Sequence, residues 1–292
     1  MMTPNNPVPR RAFMQAMASS AGLVLAGCGQ TEPPTYGNLL RMGDLLTYKA
    51  HRLLLPEHSL AREYEYSDIT SVPAIGTTNP GNPARSIYSA EFGPVYEQLL
   101  ADEFSGWGLT VEGSVIRPIA FTLADLKRLP SRTQITRHAC EEGWSAIAQW
   151  TGVPLRTVLE AAGLQSGARY VQFHAYDDIV DGIDMLDALH PQTLLAYGMN
   201  GRELPIGHGA PLRLRVETQL GYKSVKFLRR IVVTDHFDDN GSQGTIQNGW
   251  SWYAGICDWA GATVTVPMRY TCCRLRCLWS SSGRTVRSLD FA

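Results

Sequence analysis

The sequence predicts an α+β domain of mixed sheets and short helices. Alternating strand patterns recur at separate places, short helices carry recognisable end signals, and no internal repeat occurs. Hydrophobic residues make up 44% of the 292 residues and charged residues only 18%, which excludes a disordered chain. No apolar run reaches the roughly 20 residues that a membrane-spanning helix requires.

Four segments show the alternation of apolar residues that is typical of strands. They are residues 107–113, 170–175, 212–216 and 227–234. In the third segment, Leu212, Leu214 and Val216 alternate with arginines and a glutamate. This pattern predicts a half-buried strand that presents its arginines on the other face.

Two helices are predicted from their end signals. Thr122 is a suitable N-cap for a helix over 123–129, which Pro130 would close. A second helix is expected over 154–162, with proline in its first turn and Gly163 just beyond its end. Residues 30–106 contain scattered turn signals and no sustained period, which indicates a loop-rich segment with short helices.

The N-terminus is typical of an export signal. Arg10 and Arg11 precede a short uncharged stretch, and paired arginines indicate the twin-arginine (Tat) route. Leu25-Ala26-Gly27-Cys28 resembles a lipoprotein box, which predicts a lipid anchor at Cys28; the alternative is an ordinary secretory cleavage site. We therefore expect an export signal over 1–27, followed by a tether and a loop-rich segment that wraps the core over 28–105. The expected location is the periplasm or the outer face of the membrane.

The charge distribution separates the body of the chain from its ends. The chain has 26 basic and 27 acidic residues, but residues 1–27 hold two of the arginines, and 257–292 hold five arginines and two aspartates. The remaining body, 28–256, therefore has 19 basic against 25 acidic residues. This acidic balance argues against binding nucleic acid. The body contains the predicted core, 106–256.

The segment 257–292 is rich in cysteine and arginine. It holds four of the six cysteines, in a spacing that fits no zinc module. One hypothesis is an out-of-frame or read-through extension without function. The other is a disulfide-bonded extension, which an oxidising compartment would permit.

Cys140 is the only cysteine between residues 29 and 256. It could be a buried structural thiol. It could also be a nucleophile with His138 as its base, or a thiolate ligand for a soft metal. The residues alone leave these three interpretations open.

A basic cluster extends over residues 208–226. His208, Arg213, Lys223 and Lys226 lie among glycines that allow a backbone to approach a ligand closely. Such a grouping suits a phosphate, which arginine binds through a two-pronged contact. A solvated basic face is the alternative.

An acidic segment lies between Cys140 and the basic cluster. Asp177, Asp178, Asp181 and Asp184 lack the glycine and terminal glutamate of a calcium-binding loop. They therefore predict a solvated turn.

Several blocks, in order, resemble the sulfite oxidase superfamily of molybdopterin enzymes. Residues 196–201 read Ala-Tyr-Gly-Met-Asn-Gly, residues 208–213 read His-Gly-Ala-Pro-Leu-Arg, and residues 224–226 read Ser-Val-Lys. The resemblance extends over 107–235. It implies the sulfite-oxidase-type molybdopterin-binding fold and a molybdenum–molybdopterin cofactor, which the protein orients and ligates. Tat export suits a protein that folds around a cofactor before it crosses the membrane.

The resemblance also implies roles for particular residues. Cys140 corresponds to the family cysteine that ligates molybdenum and serves catalysis. His208 and Arg213 correspond to residues that hold the pterin phosphate, and Ser224, Val225 and Lys226 correspond to a segment that also binds the pterin. The loop that contains Thr77 and Asn79 is the best candidate for an N-terminal cofactor contact, although a surface turn is an equal alternative there.

Departures from the sulfite oxidase pattern concern the substrate. Ser145 stands where those enzymes have a sulfite-binding arginine, and the sequence around Cys140 is closer to the branch of periplasmic protein-methionine-sulfoxide reductase catalytic subunits. Glu141 and Glu142 would repel sulfite if either faces the site, whereas His208 follows the sulfite oxidase pattern.

We therefore expect two-electron oxygen-atom transfer at a sulfur centre of a small-molecule or protein substrate, as in sulfoxide reduction. Sulfite oxidation is the alternative within the class. A cofactor-free binding lipoprotein on the same fold is the alternative from another class. The resemblance implies a separate redox partner, either a haem membrane protein or a cytochrome, and contact with the membrane only through the lipid anchor.

Overall fold

The computed structural model describes residues 42–54, 59–84, 89–237 and 251–256. The predicted signal, the anchor at Cys28 and the extension 257–292 lie outside the described residues. Within the described part of the chain, no helix is long and apolar enough to cross a membrane.

One five-stranded sheet has the order β2-β1-β10-β5-β6. The β1 and β10 strands run parallel, and the other pairs in this sheet are antiparallel. The strands are β1 (Gly108–Gly113), β2 (Ile119–Thr122), β5 (Tyr170–Ala175), β6 (Val180–Asp184) and β10 (Leu228–Thr234).

The second sheet has the order β3-β4-β7-β8, and a short β9 also pairs with β7. All its pairs are antiparallel. The strands are β3 (Arg132–Ala139), β4 (Ser145–Pro154), β7 (Leu194–Met199), β8 (Arg202–Glu203) and β9 (Arg213–Arg215).

Five α-helices occur in the described residues, and two of them test the sequence. The Thr122 side chain accepts a hydrogen bond from the Asp125 backbone, so the predicted cap is confirmed. The second predicted helix begins one residue late, because Pro154 still pairs in β4. The helices are α1 (Met42–Leu54), α2 (Gly93–Ala101), α3 (Leu123–Arg128), α4 (Leu155–Ala162) and α5 (Met185–Ala188).

A single large hydrophobic core joins the two sheets. Leu109 and Ile231 enter it from the first sheet, Leu195 and Leu214 from the second, and Val158 from α4. Each of these side chains is completely buried, which stabilises the fold by roughly 1.5–3 kcal/mol per side chain. The core therefore fixes the second sheet, which carries the candidate site, against the first.

All four predicted strands and the α+β class are confirmed, but two predictions of exposure are wrong. Arg213 and Arg215 are buried along with Leu214 of β9, because both faces of that strand are covered. The acidic segment is not a solvated turn either, since Asp177, Asp181 and Asp184 are buried. The Asp181 carboxylate instead accepts a hydrogen bond from the fully buried Lys223 ammonium at 2.5 Å.

Candidate functional site

Cys140 lies in the tight turn that joins β3 to β4. The two strands remain paired up to Ala139 and Ser145, so only the residues 140–144 close the connection. The Cys140 N–H donates to the Trp144 carbonyl at 2.9 Å, and the Gly143 N–H donates to the Cys140 carbonyl at 3.1 Å. Gly143 has a φ of +94°, which glycine adopts without a steric penalty. The turn therefore holds the thiol in a fixed position.

The environment of Cys140 favours a protonated thiol in the free protein. Its side chain is 4% exposed, and Sγ lies 3.5 Å from Oε2 of Glu141. Burial raises the pKa of the thiol to about 12, and the charges of Glu141 and Glu142 add to the effect. A self-activated thiolate nucleophile is thereby disfavoured. A bound metal cation, in contrast, deprotonates a coordinating thiol.

Arg213 is buried, and its guanidinium contacts two carbonyl groups and an indole ring. Its Nη1 donates to the His208 carbonyl and its Nη2 to the Ser224 carbonyl, both at 3.0 Å. The guanidinium lies over the ring of Trp150, with 5.1 Å between the guanidinium carbon and the ring centroid. Burial and then the charge of Arg215 lower the pKa of Arg213 to about 9. Arg213 is thus an enclosed cation.

Lys226 is the second cation of the cluster and is half-buried. Its Nζ donates to the carbonyls of Ile75 (2.8 Å), Gly207 (3.3 Å) and Thr77. Burial, followed by the charge of Arg213, lowers the pKa of Lys226 to about 7, although Asp177 opposes this shift. The basic cluster of the sequence is therefore not a solvated face.

The remaining sequence candidates lie around these two cations. His208 is half-buried, and burial together with Arg213 and Lys226 lowers its pKa to about 4. Ser224 Oγ accepts from the Val216 N–H at 3.2 Å, and the Val225 carbonyl accepts from the Leu214 N–H at 2.8 Å. Residues 224–226 are thus fixed along β9.

The structure separates the two N-terminal candidates. Thr77 is 2% exposed and accepts a hydrogen bond from Lys226, which places it at the cluster. Asn79 is half-buried, and its side-chain oxygen accepts from the Gly81 N–H at 3.0 Å, which makes a local turn. Only Thr77 contacts another predicted site residue directly.

Next to the Cys140 turn, the side chains of His138, Arg215 and Glu217 form a hydrogen-bonded group, which we call the wall and which the sequence did not predict. Arg215 donates to Nδ1 of His138, and its guanidinium is paired with both oxygens of Glu217, at 2.7 and 3.3 Å. A Cβ atom at Gly221 would lie 2.5 Å from the His138 ring, so the loop ahead of Ser224 packs directly against that ring. The alternation of arginines and glutamate over 213–217 was the available signal.

The cations suit an anionic group better than their present protein partners do. Arg213 and Lys226 donate mainly to neutral carbonyls, and burial lowers the pKa of each. A buried charge without a counter-charge is costly, and a phosphate would supply that counter-charge. The residues present therefore fit a phosphate-bearing cofactor, with Cys140 available as a soft metal ligand.

Comparison with known proteins agrees with this geometry. The profile of the family described as the oxidoreductase molybdopterin-binding domain matches residues 96–243. A protein of Azospira oryzae, provisionally named protein-methionine-sulfoxide reductase subunit YedZ1, is 34% identical over 84% of this chain and 87% of its own length. The protein-methionine-sulfoxide reductase catalytic subunit MsrP of Xanthomonas campestris pv. campestris is 30% identical over 76% of this chain and 69% of its own.

A solved structure shows a weaker likeness. The sulfane dehydrogenase SoxCD of Paracoccus pantotrophus has a TM-score of 0.44 and 20% sequence identity, over 70% of this chain and 57% of that chain. An overlap of this size is too low to compare the two sites residue by residue.

The chain belongs to the oxidoreductase molybdopterin-binding domain family. Within that family it is a molybdenum-dependent oxidoreductase with a molybdopterin cofactor, related to the proteins named protein-methionine-sulfoxide reductase.

Proposed function

We propose that this enzyme reduces a sulfoxide to a thioether, with methionine sulfoxide in polypeptides as the substrate class. The observation that carries the proposal is the Glu141 carboxylate, 3.5 Å from the Cys140 sulfur, on a turn that ends at the exposed Ser145. A carboxylate there disfavours an anionic substrate such as sulfite and leaves a neutral sulfoxide unaffected. The names of the two relatives support the same substrate class.

The reaction balances with an external reductant. One sulfoxide, two electrons and two protons give one thioether and one water, as the sulfur–oxygen bond breaks. A separate haem protein, either in the membrane or a soluble cytochrome, is the proposed source of the electrons. Bound molybdopterin supplies the two-electron redox chemistry of the metal.

The residues of this chain divide the work of holding the cofactor. Cys140 is the proposed protein ligand to molybdenum. Arg213 and Lys226 are the proposed charge partners of the pterin phosphate, because Arg213 is buried, Lys226 is half-buried, and both donate mainly to neutral carbonyls. The other proposed cofactor contacts are His208, Ser224, Val225, Thr77 and Asn79.

Sulfite oxidation is the second candidate, and His208 favours it. A histidine at this position follows the sulfite oxidase pattern, whereas the sulfoxide reductase branch has an amide. Arg213, a proposed phosphate partner, nevertheless donates to the His208 carbonyl, so we assign His208 to the cofactor rather than to the substrate. We therefore rank this candidate second.

The proposed location is the periplasm or the outer face of the membrane. The support is the twin-arginine pattern and the lipobox at Cys28. Labelling with palmitate should give a labelled product that loses its label in Cys28→Ala. An unlabelled wild-type protein would contradict the anchor. The boundaries 1–27, 28–105, 106–256 and 257–292 stay predictions.

Steady-state assays of the cofactor-loaded enzyme test the reaction. We expect reduction of a methionine-sulfoxide peptide with a reduced dye as donor, and little oxidation of sulfite with an oxidised dye. Cys140→Ser should fold with an unchanged circular dichroism spectrum but contain little molybdenum. Efficient sulfite oxidation without sulfoxide reduction would overturn the proposal.

A further inference from the structure

The cations and the carboxylates near Cys140 have different surroundings. Two cations donate hydrogen bonds to backbone carbonyls. Arg213 donates to those of His208 and Ser224, and Lys226 to that of Ile75. Arg215, in contrast, is neutralised by the carboxylate of Glu217 and is 1% exposed. Arg213 and Arg215 are buried, and Lys226 is half-buried with its ammonium on backbone carbonyls.

Two carboxylates lie on the turn that carries the thiol. Glu141 is half-buried with its Oε2 beside Sγ, and Glu142 is exposed. The next position after the turn, Ser145, is exposed and neutral. The approach to the thiol is therefore negatively charged.

The structure also fixes one of these carboxylates in place. The Trp144 indole N–H donates to Oε2 of Glu142 at 3.1 Å. The Trp144 ring in turn packs on His138 at 5.7 Å between centroids, and Arg215 holds His138 from behind. Glu142 is thus tied to a rigid wall, which preserves the direction of its charge.

We propose that Glu141 and Glu142 select substrates by the charge next to the reacting sulfur. The favoured substrate is a neutral sulfoxide on a polypeptide segment that carries lysine or arginine nearby, and acidic segments are disfavoured. The identity of the reacting group rests on the proposed function, but the charge preference does not. Two negative charges beside the thiol, one of them held by Trp144, would give a preference on the order of tenfold at low ionic strength.

Two matched peptides test the selection. Each has a central methionine sulfoxide, flanked on both sides by lysines in one peptide and by glutamates in the other. The cofactor-loaded full chain is assayed for kcat/KM with both, and equilibrium binding of both is measured by calorimetry. The variants are Glu141→Gln and Glu142→Gln. Glu160→Gln is the control, because Glu160 is an exposed carboxylate on α4 paired with Arg156.

We expect the wild type and Glu160→Gln to prefer the lysine peptide about tenfold, and Glu141→Gln to lose most of that preference. Glutamine keeps the hydrogen-bond acceptor for Trp144, so Glu142→Gln should lose charge selection without loss of thermal stability. About 0.5 M salt should weaken the preference in the wild type, because exposed charges are screened.

The outcomes separate this inference from the proposed function. Equal binding and equal kcat/KM for both peptides in the wild type would overturn the charge selection while sulfoxide reduction stands. Tighter binding of the lysine peptide without its reduction would support the selection and contradict the proposed reaction. A preference that survives in Glu141→Gln, Glu142→Gln and the double variant would show that other residues cause it.

Discussion

Arg215 donates a hydrogen bond from Nη1 to Nδ1 of His138. Because an arginine in a protein does not give up its proton, Nδ1 must be the acceptor, and the ring proton of a neutral His138 must be on Nε2. Arg215 is itself fixed by Glu217 and lies 4.5 Å over the Trp150 ring. The wall behind Cys140 therefore determines the tautomer of a histidine two residues from the thiol.

The first prediction concerns the protonation of His138. Burial, followed by the charges of Arg215 and Arg213, lowers its pKa well below 6.5. Nitrogen NMR of histidine-labelled protein should show a neutral ring protonated at Nε2, with no titration near pH 6.5. Arg215→Gln should raise the pKa of His138, because it removes the nearest positive charge. Arg215→Lys keeps the charge and serves as the control. A His138 that titrates normally in the wild type would contradict the assignment.

The second prediction concerns the cofactor-free protein above neutral pH. The pKa of Lys226 is about 7 in the folded state against 10.5 in the unfolded chain. Between these values the unfolded chain binds more protons, so the free energy of unfolding should rise as the pH rises. Urea denaturation from pH 7 to about 9 measures the slope, and Lys226→Met should reduce it.

Binding of an anionic cofactor should reduce this dependence of stability on pH. A phosphate beside Lys226 restores its proton, so the loaded protein should show a smaller rise over the same pH range. Retention of the pterin should also weaken as the pH increases past about 7, since the free lysine loses its charge there. Equal slopes for the loaded protein, the free protein and Lys226→Met would exclude Lys226 from this role.

The third prediction concerns a buried ion cluster away from the thiol. Arg52 pairs with Asp184 at 2.9 Å and with Asp187 at 2.7 Å, and both carboxylates are fully buried. Asp187 also accepts hydrogen bonds from Thr218 and Gln219, which precede the loop at Gly221. Asp187→Ala leaves Arg52 short of one partner and should lower the free energy of unfolding by about 3–5 kcal/mol.

An exposed ion pair provides the control for this cluster. Glu160→Ala removes the pair with Arg156, in which both side chains are more than half exposed, and should cost less than about 1 kcal/mol. Chemical denaturation of both variants gives the comparison. Similar losses in the two variants would show that the cluster does not brace the fold.

The sequence was sufficient where one segment determines its own structure. The Thr122 cap depends only on Asp125 three residues later, and the blocks at 208–213 and 224–226 carry their own pattern. The motifs therefore identified the cations of the cluster and the thiol. They could not show what surrounds the cations, because the Trp150 ring and the Ile75 carbonyl come from other parts of the chain.

Long-range pairing explains the elements that were missed. The β3 strand reads as polar because two of its buried residues are Gln134 and Thr136. Gln134 is satisfied by the Gln192 carbonyl and by Glu217, which follow it by 58 and 83 residues. The buried pair of Asp181 and Lys223 has the same origin, since 42 residues separate the partners. Periodicity within a short window does not contain this information.

The last prediction concerns the glycine that allows Lys226 to reach its partners. Gly209 has a φ of +107°, and a Cβ there would lie 2.8 Å from Cβ of Lys226. Gly209→Ala should therefore push the lysine from the Thr77 carbonyl and reduce the molybdenum content of the purified enzyme. It should also cost about 1–3 kcal/mol of stability through backbone strain.

Gly43→Ala is the matched control for that substitution. Gly43 lies in α1 with nothing within 4 Å of an added Cβ, so alanine should stabilise the helix by up to about 1 kcal/mol and leave the molybdenum content unchanged. Gly209→Ala tests stability and cofactor content together, since its clash is with a proposed phosphate partner. A stability loss with full molybdenum content would mean that Lys226 is not needed to retain the cofactor.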